Sequence, residues 1–318
     1  MSPPGRPKGE YRIAQHEWAP VSRLRRRLQA LLAGLAISAG LTACDNGGDY
    51  HRKGGRWHFD ELPMQLADPA SFKPLGRFFA RDKQRGYYRD VAIADSDGAT
   101  FEALSEHAAR DSRHVYWADT YRKGQEYWAY QHLRVRVVAG AEPASYRALP
   151  HDYGRDARSA FHQGRAFAVR DPASFEVLDA RFTRDAQRGY FERVEIAGSD
   201  GATFELIDVR DGRYARDRQQ VFHTAPETQR PAGSGLSPPA VRVLRGANPA
   251  TLQVLSRGYA RDGVRVWWIG QPVAGVDAAS FTVIDDYTQE HDAHDARGTY
   301  RQGVRQGVAA PSSSSARR

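Results

Sequence analysis

Residues 68–102 read DPASFKPLGRFFARDKQRGYYRDVAIADSDGATFE, and residues 171–205 read DPASFEVLDARFTRDAQRGYFERVEIAGSDGATFE. The two stretches are identical at 23 of 35 positions and lie 103 residues apart, so the chain contains a duplication. Self-similarity at a fixed offset is the mark of a repeat architecture.

A smaller unit sits inside the duplicate. Its anchors are Phe72, Phe101, Tyr146, Phe175, Phe204, Leu252 and Phe281, most of them 29 residues apart. Four residues before each anchor stands Asp68, Asp97, Glu142, Asp171, Asp200, Asn248 or Asp277. A second acid follows each anchor: Asp82, Asp111, Asp156, Asp185, Asp217, Asp262 and Asp295. Five residues beyond it comes an aromatic: Tyr87, Tyr116, Phe161, Tyr190, Phe222, Trp267 or Tyr300.

Each position has a physical reading. Asp-Pro-Ala-Ser reads as one helical turn, its Asp capping free backbone N–H groups and its Pro needing no donor. The segment from the anchor, such as Phe175-Glu-Val-Leu178, alternates like a half-buried strand. The second Asp belongs in a turn, bonding to the backbone ahead of it. The aromatic pair after it opens a further strand. A unit is thus a capped turn with two or three short strands. It cannot bury its apolar face alone, so neighbours must stack. The expected fold is all-β, a tandem array of about seven units of about 29 residues, solenoid-like or a meander.

The stretch Asp82-Lys83-Gln84-Arg85-Gly86-Tyr87-Tyr88 resembles the Asp-Lys-Asn-Tyr-Tyr signature of the DKNYY repeat family. Gln84 replaces the Asn, and two extra residues precede the tyrosines. The Asp-Pro-Ala-Ser-Phe segments fit the family's linker pattern. The resemblance spans roughly residues 50–302, with degenerate third and seventh units. It implies a bacterial envelope repeat protein and no established activity.

The N-terminus carries a targeting signal. Arg25-Arg26-Arg27 precedes an apolar run, Leu28 to Leu41, that is too short for an ordinary membrane span. The run ends Leu41-Thr42-Ala43-Cys44, which resembles the bacterial lipobox. A thiol is what thioether attachment of a diacylglycerol requires, and small residues fit a peptidase cleft. Cys44 is the lone cysteine of the chain, so an internal disulfide is excluded. The expected layout is a lipoprotein signal over 1–43, with a true start near Val21 as an alternative. A lipidated tether follows over 44–50, then a repeat triplet over 51–168. A second triplet with a partial seventh unit covers 169–302, and a disordered tail covers 303–318. The expected place is the cell envelope, facing the periplasm, held to a membrane by the Cys44 lipid. Asp45 resembles an inner-membrane retention signal in enteric bacteria, and the choice of membrane stays open.

The formal charge of +8 points to nucleic acid only at first sight. Residues 1–44 hold seven of the basic residues and two of the acids; the remainder is nearly balanced at +3. No nucleic-acid partner is expected. Trp117 to Ala139 is aromatic and basic and suits an extended hairpin, and Thr224 to Ala240 reads as a Pro/Gly/Ser-rich loop. His291 and His294 have the spacing of a metal pair but sit in a degenerate unit, and a polar turn explains them. Calcium loops cluster several acids within a dozen residues, whereas here there is one per turn. No metal, cofactor or catalytic constellation is expected, and the chain reads as a non-enzyme.

One feature bears on function. The residue after each repeat aromatic is Tyr88, Trp117, His162, Phe191, His223, Trp268 or Arg301. Adjacent strand residues face opposite sides of a sheet. If that side is solvated, Tyr88, Trp117, Phe191 and Trp268 form a binding ladder for sugar rings or an apolar partner. The competing reading is a core that covers both faces. The leading function is an envelope module that binds or scaffolds another protein. Glycan or peptidoglycan binding is the alternative, and an unrecognised hydrolase a distant third.

Overall fold

The computed structural model describes residues 50–124, 131–207, 213–224 and 241–306. The expected signal segment and tether with Cys44, residues 125–130 and 208–212, the expected loop over 225–240 and the expected tail from 307 lie outside them. The chain divides into two compact units, Met1–Ala157 with Phe161–Ala166, and Arg158–Ala160 with Phe167–Arg318.

The described residues build eight small antiparallel sheets, none of them closed into a barrel. The first is β1 (Tyr50–Lys53), β2 (Arg56–Phe59) and β3 (Leu62–Pro63). The second is β4 (Lys73–Pro74), β5 (Phe79–Arg81), β6 (Gly86–Tyr88) and β7 (Val91–Ala92). The third is β8 (Glu102–Ala103), β9 (Ala108–Arg110), β10 (Val115–Tyr121) and β11 (His132–Val137). Five more four-stranded meanders follow, each strand paired with its chain neighbour. The all-β repeat fold expected from the sequence is therefore the observed one.

Two details differ. Each full unit has four strands, because two-residue ladders such as Lys73–Pro74 are too short to register as an alternation. The first sheet, Tyr50 to Pro63, lies outside the seven-unit count, because no Asp-capped turn or anchor precedes it. The aromatic, basic segment from Trp117 does form an extended hairpin, β10 against β11. The expected loop from Thr224 to Ala240 falls between the third and fourth strands of the sixth sheet and lies outside the described residues from 225 on.

Within each compact unit the core lies between successive sheets. Tyr50, Phe59, Phe72, Ala80 and Tyr87 fill the space between the first and second. Phe79, Tyr88, Ile93, Phe101, Ala109, Tyr116 and Ala118 fill that between the second and third. Ala108, Val115, Trp117, Val138, Tyr146 and Phe161 lie beyond the third. Along β10, Val115 and Trp117 belong to one layer and Tyr116 and Ala118 to the other. The second unit repeats this with Phe182, Phe191, Phe204 and Phe222 in one layer, and Tyr214, Leu252, Ala260 and Trp267 in the next. Interlayer rings meet in edge or tilted contacts, as in Phe101–Tyr116 at 5.8 Å and Phe204–Phe222 at 5.7 Å.

Candidate functional site

The feature common to the units is a buried carboxylate. Asp82 follows β5 and turns the chain into β6. Its Oδ1 accepts the backbone N–H groups of Gln84 and Arg85, each at 2.8 Å. Its Oδ2 accepts the N–H of Asp68 at 2.8 Å and the Tyr87 hydroxyl at 2.6 Å. One side chain thus joins the anchor turn, the hairpin turn and the core aromatic. The same four donors reach Asp111 from Arg113, His114, Asp97 and Tyr116. They reach Asp185 from Gln187, Arg188, Asp171 and Tyr190, and Asp295 from Arg297, Gly298, Asp277 and Tyr300. Asp217 and Asp262 keep the three backbone donors, but Phe222 and Trp267 stand where the tyrosine would.

The first acid of the unit is part of the same staple. The Ser71 hydroxyl donates to Asp68 Oδ2 at 2.7 Å and accepts the Lys83 N–H at 2.9 Å. Ser174 does the same between Asp171 and Ala186, and Ser280 between Asp277 and Ala296. Asp68 also caps its turn through the Ala70 N–H, but Asp171 and Asp200 make no side-chain cap bond. The capping reading holds only in part: the hydroxyl three residues on is the acid's more regular partner.

These bonds set the charge state. Burial alone raises the Asp82 carboxyl, but the Tyr87 hydroxyl and the amides of Asp68, Arg85 and Gln84 outweigh it and hold the group below the usual aspartate range. Asp111, Asp185 and Asp295 are held down in the same way. Burial, with the hydrogen bond to the carboxylate, pushes Tyr87 and Tyr300 up to about 12. A carboxylate with four donors on its two oxygens is ionised, fixed and a poor base.

A second repeated residue escaped the sequence reading. Arg81, Arg110, Arg184, Arg216 and Arg261 each stand immediately before the buried Asp. Each reaches carbonyls of the next anchor turn: Arg81 those of Ala99 and Phe101, Arg110 that of Pro143, Arg184 that of Phe204, Arg216 that of Pro249, Arg261 that of Phe281. Arg110, Arg184 and Arg216 also pair with Glu102, Glu176 and Glu205. The signal was present as a recurring Arg-Asp dipeptide, and its cross-unit partner some 20 residues on could not be seen along the chain.

Residues 50–194 match the model of the DKNYY family. This part of the chain belongs to the DKNYY family. No curated protein and no solved structure matches the chain. The DKNYY signature itself is the staple: its Asp is the buried carboxylate, and its first Tyr is the hydroxyl donor. Past residue 194 the backbone bonds of the staple recur at Asp217, Asp262 and Asp295, and the tyrosine bond recurs at Asp295.

The proposed exposed ladder is corrected by the packing of the DKNYY units. Tyr88 and Trp117 are each 2 % exposed and Phe191 1 %; Trp268 is half-buried. Tyr88 pairs across the strands with Phe79, and Phe79 lies 6.1 Å from the next anchor, Phe101. Phe182, Phe191 and Phe204 repeat this arrangement. Trp268 donates its indole N–H to the Arg257 carbonyl and is approached by Gly303 of the following sheet. The second position is thus the core of the next layer, and the glycan reading built on it loses its platform. Arg301, in the last sheet, is exposed.

His223 takes the second position of the sixth sheet. Burial, then Arg213 and Arg242, push it down to about 4. His291 is half-buried and His294 exposed, and among the described residues no three His, Cys, Asp or Glu converge as a metal site needs. A groove of about 680 Å³ runs past Arg184, Thr203, Arg216 and Arg218. Its arginines are paired with Glu176, Glu205 and Asp200.

Proposed function

We propose that the chain is a lipid-anchored protein of the bacterial envelope, facing the periplasm. Its DKNYY repeats form a non-catalytic module that binds or scaffolds another envelope protein. One observation carries the second half. The polar side chains that recur through most units, the buried Asp, the hydroxyl beside it and the Arg before it, are spent on joining turns and units. A repeated fold whose shared polar groups are consumed internally has its surface to offer. The anchor rests on the Leu41-Thr42-Ala43-Cys44 stretch after a basic and an apolar segment. Several acyl chains on one Cys hold a membrane far more firmly than one.

The test has two arms. Cys44→Ser is expected to lose acyl labelling and move from the membrane to the soluble fraction; an acyl-labelled, membrane-bound variant refutes the anchor. In-cell crosslinking through the repeat domain is expected to yield a reproducible protein adduct. Retention on peptidoglycan with no such adduct would put a glycan in place of the protein.

A further inference from the structure

Among the described residues the sheets protect their edges by being short, except at one place. An edge strand offers unpaired N–H and C=O groups to any extended chain, and folded proteins blunt such edges. Among the described residues the outer strands of the four-stranded sheets are two or three residues long, apart from β11, which has six. It ends the order of its sheet, with β10 on one side and, among the described residues, no strand on the other.

The register shows which groups face outward. Val138 donates its N–H to the Val115 carbonyl at 2.8 Å. Alternation then turns the backbone groups of His132, Arg134 and Arg136 toward β10, and those of Leu133, Val135 and Val137 away from it. Three outward N–H groups at every second residue are a ladder awaiting a strand. The side chains divide as well. Leu133 and Val135 pack against the layer of Tyr116 and Ala118. His132, Arg134 and Arg136 occupy the other face, where His132 stacks on Tyr121, Arg134 lies over the same ring and pairs with Asp119, and Arg136 donates to the Gln163 carbonyl.

We propose that β11 is a docking edge for an extended acidic segment of a partner protein, added as a further antiparallel or parallel strand. The inference rests on the protein-binding reading above and names its surface. The occupant follows from charge. Residues 117–137 carry four basic and two acidic residues besides His132. Carboxylates at alternate positions of an added strand lie on the face of His132, Arg134 and Arg136, where Asp119 offsets one of the two guanidinium charges, while its other residues extend the face of Leu133 and Val135. A second copy fits poorly. A two-fold pairing centred on Val135 sets Arg134 of one copy opposite Arg136 of the other, and like charges directly opposed destabilise a sheet.

The experiment uses the processed chain, residues 44–318, which holds every described strand. The probe is a ten-residue peptide alternating Glu and Val, with a Lys/Val peptide as its charge-reversed control. Binding is followed by calorimetry, and the site by amide hydrogen exchange. The expected result is at least tenfold tighter binding of the Glu/Val peptide, weakened by salt, with exchange at Leu133, Val135 and Val137 slowed at least tenfold. Val137→Pro blocks the outward edge without removing a bond to β10 and is expected to abolish binding. Arg136→Glu leaves the backbone unaltered and is expected to reverse the peptide preference, so a poorly folding proline variant does not end the test. Binding without protection of those three amides, or equal binding of both peptides, overturns the proposal. So does a concentration-dependent dimer that protects the same amides. A chain acylated on Cys44 whose edge stays unprotected overturns this inference and leaves the anchor standing; a protected edge in an unacylated chain does the reverse.

Discussion

Asp185→Asn isolates the staple better than any other change, because it alters one charge and almost no volume. In the native chain Asp185 Oδ1 accepts the Gln187 and Arg188 amides, and Oδ2 accepts the Arg170 and Asp171 amides and the Tyr190 hydroxyl. The variant can keep its oxygen toward one pair only. If that pair is Gln187 and Arg188, the new amide group faces two N–H donors. The Arg170 amide also donates to the Tyr190 hydroxyl oxygen and keeps that partner, but the Asp171 amide is left without an acceptor. Each orphaned buried donor costs about 1–3 kcal/mol, and hydrogen bonds to a charged acceptor contribute about 1.5–3 kcal/mol each. The expected loss is therefore about 3–5 kcal/mol, a large part of the roughly 5–15 kcal/mol that holds a domain together. Urea unfolding of the processed chain measures it. Asp217→Asn is the internal comparison: it lacks the tyrosine bond and should lose about 1 kcal/mol less. A loss below about 1 kcal/mol for Asp185→Asn would refute the staple.

The same carboxylates predict the acid limb of stability. The folded-state pKa values of Asp82, Asp111, Asp185 and Asp295 lie below the usual aspartate value. Their stabilisation is complete above the unfolded-state pKa of about 3.9, and is lost as pH falls through the folded-state values. The slope of stability against pH scales with the protons taken up, so four such groups make the loss below about pH 4 steep. Asp185→Asn should flatten that limb while lowering the plateau. An unchanged acid slope would mean that Asp185 is not ionised in the fold.

Four further outcomes follow from the packing. Tyr190→Ala and Phe191→Ala should each cost about 3–5 kcal/mol in denaturant unfolding, because both rings are buried, in opposite layers; a mild Phe191 variant would reopen a solvated face. Gly201→Ala should destabilise markedly, since its Cβ would stand 2.2 Å from the Asp185 carbonyl, whereas Gly263→Ala, with nothing within 4 Å, should be near neutral in a thermal melt. Tyr87, Tyr88 and Tyr300 are raised to about 12, so the stability they lend is full below about pH 10 and is lost as pH rises toward 12, which ultraviolet titration against unfolding would show. Cys44→Ser should leave the melting temperature of the repeat domain unchanged while abolishing acylation, because Cys44 precedes every described strand.

The anchors, the turn acids and the core aromatics were legible because each is a local requirement met at a fixed spacing. A turn needs an acceptor, and a layer needs a ring. The Arg81 to Phe101 bond was not legible, since its partner is a carbonyl in another unit and carries no residue signature. The ladder was misread for a subtler reason. Strand alternation says that Tyr87 and Tyr88 face opposite sides, but it does not say what covers the second side. The neighbouring strand did hold the answer. β5 reads Phe79-Ala80-Arg81, and its counterparts read Phe182-Thr183-Arg184 and Tyr259-Ala260-Arg261. The small residue lies opposite the first aromatic, as Ala80 opposite Tyr87, and leaves room for the unit's own anchor ring. The large one lies opposite the second, as Phe79 opposite Tyr88. A sheet wet on one side has no physical reason to repeat a large apolar residue on that side. Two rings meeting there in successive units require a cover, and the next anchor supplies it. Among the polar second-position residues His223 is buried like the rings, whereas Arg301 stands in the last sheet, where no further unit follows among the described residues, so its face is free to meet water.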